Sequence, residues 1–158
     1  MKKIALIYMG GTFGCVGQPL SPMPATEFLP QLQKFLNPPL AIDCLIAPVI
    51  KDSSACTPHD WLELITFIQD LKGQGYQHIV LIHGTDTLSY AAAILARFLA
   101  QSVHLVITGS QYPLLNPEAT ALHQESDALD NLNLALEAVT QVKQGIYVAF
   151  HGQIFHAQ

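Results

Sequence analysis

Unbroken apolar runs alternate along this chain with segments of helical periodicity. The runs 4–9, 79–82 and 104–108 contain few polar positions, which is typical of central strands in a parallel sheet that is covered on both faces. The segments between them place apolar residues three or four positions apart, so that each segment can pack one face on a sheet. The pattern therefore predicts strands and helices in alternation.

The predicted elements follow one another without a linker or a repeat, and residues 1–158 form a single domain. The predicted strands are 4–9, 44–50, 79–82, 104–108 and 146–150, with a last short strand at 153–156. The predicted helices are 26–36, a segment from Pro58 to the residue before Gly73 with Thr57 as its N-cap, 87–100 and 124–143. This order predicts a doubly wound α/β fold of three layers, αβα, Rossmann-like or flavodoxin-like, with about five mainly parallel strands.

The segment from Phe13 to Ala25 has an irregular composition. It carries Gly14, Gly17 and three prolines, which favour neither a strand nor a helix. Its length is unusual for a connection in a compact domain, so it is interpreted as either a lid or a disordered loop.

Composition excludes several classes of function. Seven Lys and Arg residues form no run, and the net charge is −5, which argues against nucleic-acid binding. The apolar run after Met1 stops at Gly10, short of a signal-peptide core, and no stretch reaches transmembrane length. The three cysteines lack a Cys-x-x-Cys spacing, which favours reduced thiols in a cytoplasmic protein over a disulfide or a metal site.

Polar residues follow three of the predicted strands. Gly10-Gly11-Thr12 follows the first, Asp52-Ser53-Ser54 the second, and His83-Gly84-Thr85-Asp86-Thr87 the third. Ligands of parallel sheets bind beyond the carboxyl ends of the strands. Backbone N–H groups at a helix start and hydroxyls suit a carboxylate, while Asp86 suits an ammonium group. The sequence thus predicts recognition of a small zwitterion, such as an amino acid.

Simpler interpretations exist for each feature alone. Gly10-Gly11-Thr12 can be a tight turn, and Thr85-Asp86 can be a helix N-cap. His83 is more typical of a hydrogen-bonded structural residue than of a base. His151 and His156 are separated by an odd number of positions in a strand-like tail and have no third ligand, so no metal site is expected there.

Five motifs follow one another along the chain, at 9–14, 52–54, 83–88, 107–111 and 147–152. In order and spacing they resemble the motifs of bacterial-type L-asparaginases, most closely the cytoplasmic type I branch. The resemblance implies hydrolysis of asparagine to aspartate and ammonia without a cofactor. It implies that Thr12 is the nucleophile on a mobile loop and that Thr85 is a second catalytic threonine. It further implies that Ser53 and Ser54 bind the substrate carboxylate, that Asp86 binds its ammonium group, and that Gly11 and Gly84 line the site.

The chain departs from the family pattern in three ways. The family lysine that assists the second threonine has no counterpart among the six lysines, and the loop tyrosine is absent from 13–25. The resemblance also implies a smaller second domain that completes a neighbour's site in homo-oligomers, and residues 1–158 are expected to correspond to the first domain only. Weak activity is therefore expected. Three interpretations stay open: an amidohydrolase acting on asparagine, or on glutamine or larger amides; a weakly catalytic amino-acid-binding domain; and a subunit that needs a separate partner.

Overall fold

A computed structural model describes residues 3–36, 41–50, 55–85, 88–99 and 102–157. The strands are β1 (Lys3–Tyr8), β2 (Cys15–Val16), β3 (Ser21–Pro22), β4 (Ala41–Ile46), β5 (His78–Ile82), β6 (His104–Thr108), β7 (Gly145–Phe150) and β8 (Gln153–His156). The helices are α1 (Ala25–Gln33), α2 (Pro58–Gly73), α3 (Leu88–Leu99) and α4 (Ala128–Val139), and a 3-10 helix spans Thr12–Gly14. None of the helices in these ranges is long and apolar enough to cross a membrane.

A six-stranded sheet with the order β4-β1-β5-β6-β7-β8 forms the centre of the molecule. The first five of these strands are parallel, and β8 pairs antiparallel with β7. The chain moves outward from β1 in both directions, as a doubly wound fold requires. The predicted fold class is confirmed, although the main sheet has six strands.

The two faces of the sheet are buried under different helices. Along β1, Ala5 and Ile7 pack in one core with residues of α2 and α3, whereas Ile4 and Leu6 pack in another with residues of α1 and α4. All four side chains are fully buried. This explains why the strand reads as a continuous apolar run, because neither face of a central parallel strand meets water.

Helix α2 begins as its sequence predicts. Thr57 accepts a hydrogen bond from the Asp60 backbone N–H at 3.2 Å, and the Asp60 carboxylate accepts one from the Thr57 N–H at 2.9 Å. Pro58 occupies the first turn, where its missing N–H leaves no intrahelical bond unmade. This reciprocal cap fixes where the chain enters the helix.

Two predicted elements have different bounds in the structure, for identifiable reasons. The strand predicted at 44–50 is β4, which ends at Ile46 because its register follows β1 from Lys3 to Tyr8, and Pro48 then offers no N–H. The helix predicted at 124–143 is α4, which is shorter at both ends. Residues before it form turns that hold the loop after β6, as described below.

Candidate active site

The loops after β1 and β5 are in backbone contact. Gly11 has φ of 89°, and a Cβ added to it would lie 2.8 Å from Cα and 2.9 Å from N of Gly84. Only glycine allows both this conformation and this approach. Thr12 and Thr85 each follow one of these two glycines, so the contact brings both threonines to the same edge of the sheet.

The loop after β6 packs against the same place. The His83 N–H donates to the Thr108 carbonyl at 2.9 Å, which extends the sheet ladder by one residue. A Cβ on Gly109 would overlap the His83 carbonyl oxygen and would lie 3.3 Å from Cγ2 of Thr85. Three loops therefore meet at the carboxyl edge, and the Thr85 methyl group lies against the third of them.

The loop that carries Thr12 is ordered. Thr12 begins the 3-10 helix, and its carbonyl accepts the Cys15 N–H. Beyond it, the Leu114 N–H donates to the Phe13 carbonyl at 3.0 Å, and the Gly17 N–H donates to the Pro117 carbonyl at 3.1 Å. The prediction of an irregular segment at 13–25 is wrong here, because β2 and β3 pair within it. Backbone hydrogen bonds to the 113–117 segment supply the order that composition did not predict.

Tyr8 packs against this loop at Gly14. A Cβ on Gly14 would overlap the Tyr8 hydroxyl group, so the 3-10 helix rests on the tyrosine ring. That ring packs against Phe28 in a tilted arrangement, with a centroid separation of 4.9 Å and an interplanar angle of 34°. Burial raises the pKa of Tyr8 well above its usual range, and Cys15 adds to this effect. The hydroxyl is therefore a neutral structural group at neutral pH.

His83 is buried beside the two threonine loops. Its ring stacks on Trp61 with a centroid separation of 5.3 Å, and its Nδ1 lies 3.0 Å from the Gly84 carbonyl. In the part of the chain that the structure describes, its Nε2 has no hydrogen-bond partner. Burial lowers the pKa of His83, and the Gly84 contact opposes this only in part. The imidazole is neutral at neutral pH, consistent with the structural role favoured from the sequence.

A polar network at the start of α4 was missed by sequence reasoning. Asn131, 2% exposed, donates from Nδ2 to the Gly109 carbonyl at 2.9 Å and accepts the His151 N–H at 3.1 Å. The Asp127 carboxylate accepts the N–H groups of Gln111 and Tyr112 at 3.0–3.1 Å. The signal was an asparagine on the apolar face of a helix, since a buried amide needs partners.

The predicted site residues fall into two groups. Gly11, Thr12, Gly84 and Thr85 meet at the carboxyl edge of the sheet, with Thr12 and Thr85 half-buried. Ser53, Ser54 and Asp86, predicted to bind the substrate, lie outside the described residues, as does Lys51. Their roles remain predictions. The loops that carry Thr12 and Thr85 are in contact, whereas the expected place of Ser53 beside them stays a prediction.

A comparison with known protein families covers the residues of this site. The family described as "Asparaginase, N-terminal" matches residues 3–158. This chain belongs to the asparaginase family. The match covers every described strand and helix, so the three loops at the carboxyl edge belong to the family's own N-terminal domain.

Individual relatives agree with this asparaginase assignment. L-asparaginase from Thermococcus kodakarensis is 35% identical over 104 residues, which cover 65% of this chain and 29% of that protein. A glutamyl-tRNA(Gln) amidotransferase subunit from Methanococcus vannielii is 33% identical over 97 residues, covering 61% and 21%. The crystal structure of L-asparaginase I from Vibrio cholerae superposes with a TM-score of 0.82 at 25% identity, covering 99% of this chain and 46% of that one. The chain thus spans less than half the length of these relatives.

Proposed function

We propose that this chain is an asparaginase-type amidohydrolase domain that acts in the cytoplasm and converts L-asparagine to L-aspartate and ammonia, with Thr12 as the nucleophile. The observation that carries the proposal is the backbone contact between Gly11 and Gly84. It places the two threonines that the family motifs single out at one edge of the sheet. Family membership supports the reaction class.

The proposed chemistry uses hydroxyl groups and backbone donors. The Thr12 Oγ attacks the side-chain amide carbon, and its proton passes to the leaving nitrogen, which departs as ammonia. Water then hydrolyses the threonine ester to aspartate and restores the hydroxyl. Thr85 is the second catalytic threonine and assists the proton transfer. Backbone N–H groups of the loops that meet there are suited to the oxyanion that develops during each step.

Substrate binding is assigned to the residues that the family motifs imply. Ser53 and Ser54 bind the carboxylate, and Asp86 binds the ammonium group. Asp86→Ala should weaken aspartate binding more than Thr12→Ala, because it leaves a cation without its counter-charge, a loss of about 2–5 kcal/mol for buried pairs. Calorimetry with aspartate measures both. Equal affinity of the wild type and Asp86→Ala contradicts the assignment.

The test of the reaction is ammonia release from asparagine by the purified chain. Thr12→Ala and Thr85→Ala should each abolish it. Thr66→Ala is the matched control, because Thr66 is exposed on α2 and far along the chain from both loops. Turnover that survives Thr12→Ala rules out the proposed nucleophile, and loss of turnover in Thr66→Ala shows that the assay reports stability instead.

A second candidate is a component of a larger enzyme that works with a separate polypeptide. It is favoured by the similarity to glutamyl-tRNA(Gln) amidotransferase subunits. Ammonia release and ligand binding, measured on the same purified chain, distinguish the two candidates. Binding of asparagine or glutamine without ammonia release favours the component that needs a partner, whereas release by the chain alone favours the amidohydrolase.

A further inference from the structure

Side chains at the start of α4 bind the loop after β6, whose Gly109 lies next to Thr85. Two side chains one helical turn apart do this, with Asp127 binding the N–H groups of residues 111 and 112 and Asn131 binding the Gly109 carbonyl. The two also bind each other, since Asn131 Nδ2 lies 3.2 Å from Asp127 Oδ2. The first residues of the loop after β6, 109, 111 and 112, are therefore attached to the start of α4.

Asn131 connects three separate parts of the chain. Its Nδ2 donates to Gly109 on the β6 loop, and its Oδ1 accepts the N–H of His151. His151 lies in the turn between β7 and β8 and has φ of 50°, which is uncommon for a residue with a side chain. An amide is the side chain that supplies a donor and an acceptor at this point at the same time.

Gly109 connects Asn131 with Thr85, because it binds the first and lies next to the second. The space where its Cβ would be is filled by the His83 carbonyl oxygen and lies 3.3 Å from the Thr85 methyl group. Closely packed atoms transmit displacements to their neighbours. A displacement of Gly109 toward Thr85 would therefore press on the threonine methyl group, and a displacement away from it would open a gap beside that group.

We propose that Asn131 is a positioning residue for Thr85, acting through its hydrogen bond to the Gly109 carbonyl. The inference rests on the proposed function, in which Thr85 is the second catalytic threonine. It assigns Asn131 no contact with substrate. Its effect is on the geometry of proton transfer, where a misplacement of about 1 Å can cost about 10²-fold in rate.

The test substitutes Asn131→Asp, which keeps the shape and the acceptor for His151 but places a carboxylate oxygen against the Gly109 carbonyl. Asn133→Asp is the matched control, because Asn133 is exposed on the same helix and undergoes the same change of charge. The readout is the ¹H–¹³C methyl resonance of Thr85, assigned by its loss in Thr85→Ser. It should shift in Asn131→Asp and stay in place in Asn133→Asp, with the Thr66 methyl unmoved in both.

Acidification supplies a rescue within the same sample. The introduced carboxyl group is buried beside Asp127, so its pKa is raised, and its protonated form has an O–H that can donate to the Gly109 carbonyl. The Thr85 resonance of Asn131→Asp should therefore return toward its wild-type position as the pH falls to about 5. A purely destabilising substitution shows no such return.

Kinetics provide the second readout. At neutral pH, kcat for asparagine should fall at least about tenfold in Asn131→Asp while KM changes less than about threefold, since the chemistry is affected and binding is not. An unmoved Thr85 resonance in folded Asn131→Asp overturns the inference, and so does a shifted resonance with unchanged kcat. If Asn131→Asp does not fold, Asp127→Asn is tested in its place against the same criteria. If the wild type releases no ammonia, the proposed function fails, and the Thr85 resonance alone decides whether Asn131 positions it.

Discussion

Two glycines allow the three loops to meet at the sheet edge. Gly11 lies against Gly84, and Gly109 lies against the carbonyl of His83. At both positions a side chain would occupy space that backbone atoms already fill. Backbone atoms cannot rotate away as the end of a flexible side chain can, so these contacts fix the distance between the loops.

The first prediction separates steric contact from backbone conformation. Gly11→Ala should lower the free energy of unfolding by about 1–3 kcal/mol more than Gly75→Ala. Both glycines have positive φ, 89° and 101°, but a Cβ at Gly75 would meet open space in the described part of the chain. Urea unfolding monitored by Trp61 fluorescence measures the difference. Equal losses of unfolding free energy in the two variants would show that the close contact with Gly84 does not affect stability.

The second prediction concerns His83 and pH. Burial lowers its pKa in the folded protein, so the unfolded chain binds the proton more readily. The stability associated with neutral His83 is complete above about pH 6.5 and is lost as the pH falls through the lower pKa of the folded state. Between pH 7.5 and 5.5, Tm should therefore fall further in the wild type than in His83→Phe. The extra fall should be about 2–4 °C for each kcal/mol of unfolding free energy that protonation of His83 removes.

His83→Phe keeps an aromatic ring on Trp61, so the comparison concerns the titrating group. His59→Gln is the control, since His59 is exposed on α2 and pairs with Glu63 at 2.8 Å. Parallel Tm profiles for the wild type and His83→Phe argue against burial of a neutral imidazole as the source of the pH dependence.

At the scale of elements, local signals differ in how far they determine structure. The Thr57-x-x-Asp60 cap and the apolar run of β6 were readable because the interactions that form them lie within a few residues. The end of β4 was not readable from the sequence, because its pairing with β1 sets it. The start of α4 was not readable either, because it is marked by Asp127, which binds the loop at residues 111–112. Contacts between distant residues leave little trace in a local pattern.

The third prediction tests the cap of α2. Thr57→Ala should lower the free energy of unfolding by about 1 kcal/mol, because it leaves the Asp60 N–H without its acceptor. Thr66→Ala, at an exposed interior position of the same helix, should be neutral or stabilising by a few tenths of a kcal/mol. Chemical denaturation compares the two. A loss in Thr57→Ala no larger than that in Thr66→Ala contradicts the capping role.

At the scale of the whole molecule, strand order explains why part of the site was predictable. β1 and β5 are neighbours and parallel, so residues following each of them reach the same edge. That inference needed only the apolar runs and the polar residues after them. The network through Asn131 was not predictable in the same way, because it depends on α4 crossing beside β6, which no residue near Gly109 reveals.

The fourth prediction concerns the base that assists Thr85. A polypeptide of these 158 residues should release ammonia from asparagine more slowly than a full-length L-asparaginase relative, since none of its six lysines matches the assisting lysine that the resemblance implies. General-base assistance contributes about 10²–10⁴-fold to such reactions. Parallel assays of this chain and the Thermococcus kodakarensis enzyme measure the ratio. Equal turnover shows that the domain supplies its own base.

The hydrogen bond between Gly17 and Pro117 also bears on the order of assembly during translation. Gly17 leaves the ribosome about one hundred positions before Pro117, whose carbonyl accepts the hydrogen bond that fastens the Thr12 loop. Contacts of such long sequence separation form late in folding, because a large loop must close first. A nascent chain that has not yet emerged past Pro117 therefore carries the proposed nucleophile without the bond that fastens its loop.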